Sequence, residues 1–273
     1  MKYRLLAAFP LVAALVYLVI DAMVPDRVEL YAVMVIGLKT LAAIGSASAA
    51  LRFQRSDYLR LAWLLTAACF VLLLAKDLLW GTGSRSEHHF TPTVALVRGG
   101  VTLAANAAGV VGAWLLARAW QVAGIVLPGS RAQRRLITLA GVAVALAIAG
   151  HATFGDVRGL VAGDPQMLVT VASDLGDIIS TCLIAPVLLT AIALRGGLLA
   201  WPWTLMAASQ IGWLLYDAAG TVGALSGADH MRLRSLEELF RLLALLFAFA
   251  SGVAQRLVMT DMRAAGKARH PTN

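Results

Sequence analysis

Apolar positions in this chain come in unbroken runs of about 20 residues, with neither the period-two alternation of half-buried strands nor the polar stripe of a water-facing helix. A run of that length crosses a hydrocarbon core of about 30 Å as a helix, because each residue advances the helix about 1.5 Å. Polar punctuation between the runs predicts eight spans, at about 5–24, 29–51, 59–80, 94–117, 135–153, 167–194, 198–222 and 235–258. No small-x-small cleavage pattern follows the first of them, so it is predicted to be a retained helix and not a signal peptide. The absence of strand alternation argues against a β-barrel.

Composition sharpens this to an all-α integral membrane protein. Of the 273 residues, 60% are hydrophobic and only 14% are charged, too few charges for an ordinary soluble domain. Their placement is also uneven. With the N-terminus inside, 14 Lys and Arg fall in cytoplasmic pieces and 5 on the opposite side, among them Arg27 and Arg234. This bias predicts both termini in the cytoplasm and an inner-membrane location. The net charge of +8 then belongs to loops facing anionic lipid heads, and no nucleic-acid partner is expected. Cys69 and Cys182 both fall inside spans and read as small apolar packing residues.

The runs also repeat. "WLLTAACFVLLLAKDLLWG" (63–81) and "WTLMAASQIGWLLYDAAG" (203–220) each lead from a tryptophan to an aspartate fourteen residues on, Asp77 and Asp217. "IDAMVPDRVEL" (20–30) and "GHATFGDVRGL" (150–160) each place a polar residue, Asp21 or His151, five positions before an aspartate, Asp26 or Asp156. The fourth and eighth spans each carry an arginine, Arg98 or Arg241, about six residues in. The pattern predicts two parallel four-span repeats, over 1–130 and 131–260, with a short basic tail over 261–273.

Charges inside a bilayer are expensive, about 2.5–3.5 kcal/mol each at mid-span on insertion scales, so each needs a partner. Lys39 falls near the midplane, and Asp174 and Asp177 share a helix face on the equivalent span of the second repeat. These three are expected to meet across the pseudo-symmetry axis. Lys76, Asp77 and Asp217 lie near the outer interface, and Glu237 and Glu238 precede Arg241 at spacings that allow pairing along one helix. Four embedded bases oppose seven acids, an excess that protonated carboxyls, a charge on His151 or a bound cation would offset. Every spanning charge except Lys39 lies in the outer half. The pattern therefore predicts a polar pocket open outward, lined by Lys39, Lys76, Arg98, His151, Asp174, Asp177, Tyr216 and Arg241. Asn106, Ser173, Ser180, Thr181 and Gln210 are further hydrogen-bonding candidates. Glu87, His88, His89 and His230 lack metal-ligand spacing, and no metal or cofactor is expected.

Two resemblances follow from these residues. "DLGDIISTCLIAPVLLTAIALRGGLLAWPWTLMAASQIGWLLYDAAG" with "EELFRLLALLFAFASGVAQR" resembles the multi-span sensory regions of bacterial signalling proteins. That likeness implies ligand sensing, with signalling through a membrane or cytoplasmic partner. The layout of Lys39, Asp77 and Asp217 on the second, third and seventh spans is similar to the YhhN lysoplasmalogenase family. It implies a lysolipid hydrolase in which Asp77 and Asp217 are catalytic, although Thr40 stands where that family has proline. The ligand implied by the first reading is a membrane lipid or a small amphiphile or cation from the outer side. A transporter and a structural subunit of a larger complex stand behind these two.

Overall fold

A computed structural model describes residues 1–24, 27–81, 91–119, 124, 128–163, 167–226 and 230–269. Within helices it leaves out the side chains of 92, 95, 149, 151, 152, 168–170, 172, 173, 177, 224–226, 230–232 and 265–269. The described residues form helices α1 (Lys2–Met23), α2 (Arg27–Ala50), α3 (Tyr58–Trp80), α4 (Pro92–Ala117), α5 (Arg131–Val161), α6 (Met167–Cys182), α7 (Ile184–Ala193), α8 (Ala200–Ser226) and α9 (His230–Arg269). There is no strand among the described residues.

By length and composition, six helical segments among the described residues suffice to cross a membrane: α1, α2, α3, Leu96–Ala117 of α4, Asp174–Ala193 spanning α6 and α7, and Leu233–Ala264 of α9. α5 makes a seventh if its halves, Arg131–Ile148 and Thr153–Val161, count as one pass, for they meet at 60°. The remaining predicted pass corresponds to α8, which has the length but whose apolar run is diluted by Ser209, Gln210 and Asp217.

Helix ends follow from local chemistry. Asp57 caps α3 by accepting from the Leu59 amide at 3.0 Å, and Gly81 ends it at φ +85°, a conformation glycine adopts without strain. Ser130 and Gln133 close a capping box on α5, satisfying two otherwise orphaned groups. Pro92 starts α4, where a missing N–H does no harm. The break between α6 and α7 has a similar cause. Pro186 has no amide to continue the ladder, and the Leu183 amide divides its bond between Ile179 and Ser180, both at 3.1 Å. The bend in α5 falls beside Gly150, and glycine lowers the resistance to a kink.

α9 is the spine of the bundle. It packs along α8, α2 and α1, while α3 lies against α2 and α4, and α6 against α4 and α5. Lipid tails are as apolar as leucine, so the hydrophobic effect does little to pull such helices together; close backbone contact and interhelical hydrogen bonds act instead. Gly45 and Gly252 supply the first. A Cβ on Gly252 would sit 2.3 Å from the carbonyl carbon and oxygen of Gly45, so the α2 and α9 backbones are in direct contact. On α8, a Cβ at Gly212 would lie 2.9 Å from the Cα of Ala244. Between α3 and α4, Gly109 faces the Cys69 sulfur, as small-residue packing of that thiol predicts.

Buried serines supply the second. The Ser209 hydroxyl donates to the Ala244 carbonyl at 2.8 Å, and Ser251 to the Pro202 carbonyl at 2.7 Å. Ser251→Ala is expected to lower stability by about 0.6 kcal/mol, the average for interhelical hydrogen bonds in membranes. Thermal denaturation of the purified protein measures this, and a loss of about 2 kcal/mol or more, roughly three times that average, would mean the serine does more than bond Pro202.

Candidate functional site

At the end of the bundle remote from the chain termini, charged and hydroxyl groups from α1, α2, α3, α8 and α9 form one polar web. Its centre is Asp77 of α3, with a side chain 1% exposed. One carboxylate oxygen accepts from Lys39 of α2, and the other faces Lys76, the preceding residue, at 2.9 Å. Glu238 of α9 is equally sealed. Its Oε1 meets Arg241 at 3.1 Å and Arg234 at 3.7 Å. Arg241 also donates to the Tyr216 hydroxyl of α8 and lies over that ring, 4.6 Å from its centroid, and Trp213 packs edge-on against Tyr216.

A second strand of the web runs from α1. The Tyr31 hydroxyl donates to Asp21 at 2.7 Å and lies 3.1 Å from Ser235 Oγ. Tyr17 donates to the Ser235 carbonyl at 2.9 Å. Arg27 reaches Ser235 Oγ at 3.3 Å and Asp21 at 3.9 Å. Asp21, Asp77 and Glu238 are therefore buried, while the more exposed members of the web are cationic: Lys76, Arg241, Arg27 and Arg234.

The expected meeting of Lys39 with Asp174 is not formed. Lys39 pairs with Asp77, and Asp174, half-buried on α6, lies beside Thr153 and Asp156 of α5. The reason is directional. A helical side chain leans toward its own N-terminus. α2 begins at the remote end, so Lys39 leans outward from mid-span, whereas α3 ends there and Asp77 leans inward. The two meet although their Cα atoms lie at different depths. α6 meanwhile packs on α4 and α5, away from α2's main neighbours.

Of the other predicted residues, Lys76, Tyr216 and Arg241 join the web. Arg98 is half-buried on α4, outside the α2–α9 contact, and its carbonyl accepts from Thr102. Asp217 is half-buried on α8, one position round the helix from Tyr216, and its carbonyl accepts from Thr221. Asn106 sits where α4 meets Gly176 of α6. The side chains of His151, Ser173, Asp177 and His230, and residues Asp26, Glu87, His88 and His89, lie outside the described residues.

Glu238 does pair with Arg241 along α9, as its spacing implies, yet its burial makes it central in a way the local pattern does not convey. Arg27 and Arg234, placed in outer loops by the sequence pattern, belong to helix ends and turn into the web. They change the charge balance. Arg27, Lys39, Lys76, Arg234 and Arg241 are joined in ion pairs with Asp21, Asp77 and Glu238, and Glu237 lies close enough to Glu238 to act on it electrostatically. Among the described residues of the web itself, five bases therefore stand against four acids, a smaller set than the embedded charges of all spans. The signal in the sequence was the arginines' position within a turn of their spans.

No protein-family model, curated protein or solved structure matches the chain.

Proposed function

We propose that the chain is an eight-span inner-membrane protein with cytoplasmic termini, built from two parallel four-span repeats, whose polar web is an outward-facing ligand site that signals through a partner protein. The convergence of ionisable groups from five helices into one buried web carries this reading. Such groups are costly in a bilayer and commonly mark ligand or ion sites. The contact of α2 with α9, matched by that of α6 with α4, fits the reciprocal packing of two repeats about an axis along the membrane normal. The 14-to-5 distribution of Lys and Arg fits the proposed orientation.

α9 gives the site a physical route to the other end. It is unbroken from Glu238 to Asp261, about 35 Å along its axis. There Asp261 accepts from Lys2 at 2.7 Å and from Tyr3 at 2.8 Å. A ligand that rearranges the Glu238 and Arg241 contacts acts on a helix whose far end touches α1.

Purified protein is expected to gain thermal stability with an outer-leaflet lipid or amphiphile, and Arg241→Gln to lose that gain. If no such compound shifts the melting temperature and no protein co-purifies, the sensing role falls.

The lysoplasmalogenase-type reading is favoured by one observation, the contact of Lys39 with Asp77. It is weakened by the burial of Asp77, whose side chain is 1% exposed with an ammonium group against each carboxylate oxygen. Hydrolysis of a lysoplasmalogen by the wild type, abolished in Asp217→Asn, would restore it over the sensing role.

A further inference from the structure

Among the described residues three buried polar atoms of the web have no hydrogen-bond partner: Asp77 Oδ1, which still faces the Lys76 ammonium at 2.9 Å, and two that belong to residues one turn apart on α9. Oε1 of Glu238 takes both arginines, and Oε2 has no partner among the described residues. Nε of Arg234 is likewise buried and unpartnered, although its NH2 group lies 3.7 Å from Glu238 Oε1. A buried acceptor and a buried donor left unmade are each unfavourable, and here one bound group can satisfy both.

The surrounding charge decides what kind of group that is. A further cation at Glu238 Oε2 would join Arg234 and Arg241, already paired with that carboxylate, and Lys39, within electrostatic reach. A further anion at Arg234 would face the unpartnered oxygen of Glu238. A neutral hydroxyl does neither, since its oxygen accepts from Nε while its hydrogen is donated to Oε2. Arg234 keeps 28% of its side chain exposed, so this side chain reaches the surface although its Nε and Glu238 Oε2 lie sealed beneath it.

We propose that Arg234 and Glu238 form a subsite for a neutral hydroxyl-bearing head group, of the glycerol or sugar type, carried by an amphiphile or free in solution. This rests on the outward-facing site described above and names its ligand class.

The test uses the full chain in phosphatidylcholine nanodiscs, purified in a detergent without hydroxyl groups. Labelled 1-monooleoylglycerol is the probe, with free glycerol, oleylamine and oleate as competitors. Saturable binding is expected, weakened at least tenfold by Glu238→Gln and by Arg234→Lys and unchanged by Arg55→Gln at the opposite end. Competition by glycerol alone at comparable concentration would assign a soluble polyol as the source; failure of glycerol to compete would assign a lipid. In the unmodified protein, infrared difference spectra should show a carboxylate band shifting when monooleoylglycerol is added, a readout that survives if the variants do not fold. Equal binding in wild type, Glu238→Gln and Arg234→Lys would overturn the subsite and leave the outward site standing. Preference for oleylamine or oleate would overturn the hydroxyl class alone. No saturable binding of any of the four compounds, the result if only water fills the gap, would overturn the subsite and count against the outward site as well.

Discussion

Replacing Asp77 with leucine is expected to lower the stability of the protein by about 3–5 kcal/mol, the usual consequence of removing one partner from a buried ion pair. The carboxylate is 1% exposed and lies between Lys39 and Lys76, so its loss leaves two ammonium groups facing each other in a low-dielectric interior. Lys76, with 15% of its side chain exposed, can turn toward the headgroups. Lys39, with 9% exposed on its mid-span stem, has much less freedom to do so. The double variant Asp77→Leu with Lys39→Met is therefore expected to recover most of the loss, because apolar replacement of a buried pair is often neutral or stabilising. A double-mutant cycle by chemical or thermal denaturation measures the coupling. If the two single effects simply add, the pair does not act as a unit, and the centre of the web has been misjudged.

The second large effect is steric. Gly252→Ala adds a Cβ 2.3 Å from the Gly45 carbonyl and 2.8 Å from the Ser46 amide nitrogen. Both contacts are to backbone, which has no flexible end to swing aside, so α2 and α9 must separate along the crossing. A destabilisation at or above the usual 1–3 kcal/mol for overpacking is expected, with Gly252→Leu unable to form the bundle. Gly37→Ala, where a Cβ meets nothing within 4 Å, is the matched control on α2 and should leave the melting temperature nearly unchanged. Equal melting temperatures for Gly252→Ala and wild type would mean that the two helices do not cross where these glycines bring them together.

These two experiments probe different parts of what makes the bundle specific. The glycine and serine contacts hold α2, α8 and α9 close without help from the hydrophobic effect. The web then selects one rotation of each helix, because only one brings Lys39, Asp77, Glu238 and Arg241 together. Buried ionic groups are weak evidence for stability but can fix register, and here they tie α2 to α3 and α8 to α9.

The amino-acid sequence by itself determined the helical class, the positions of most helices, and the concentration of charge toward one end. Those properties are local: an apolar run of about 20 residues needs no neighbour to declare itself, and a lysine within it is visible as a liability. The Glu238–Arg241 pair was legible for the same reason, both residues lying on one helix face. Partner choice between helices was not. By charge Lys39 is compatible with Asp77, Asp174 or Asp177, and by depth Asp77, near the outer interface, is a poorer match for its midplane position. Only the packing of α2 on α3, and the opposite lean of side chains on antiparallel helices, selected Asp77. Tertiary structure likewise drew Arg27 and Arg234 out of apparent loops into the web and so added two positive charges to it. The approach of Gly45 to Gly252 was just as silent, since a glycine 207 positions away in the chain leaves no local trace. Which side chains touch is set by how helices rotate about and lean against one another, and that is decided by all the contacts at once.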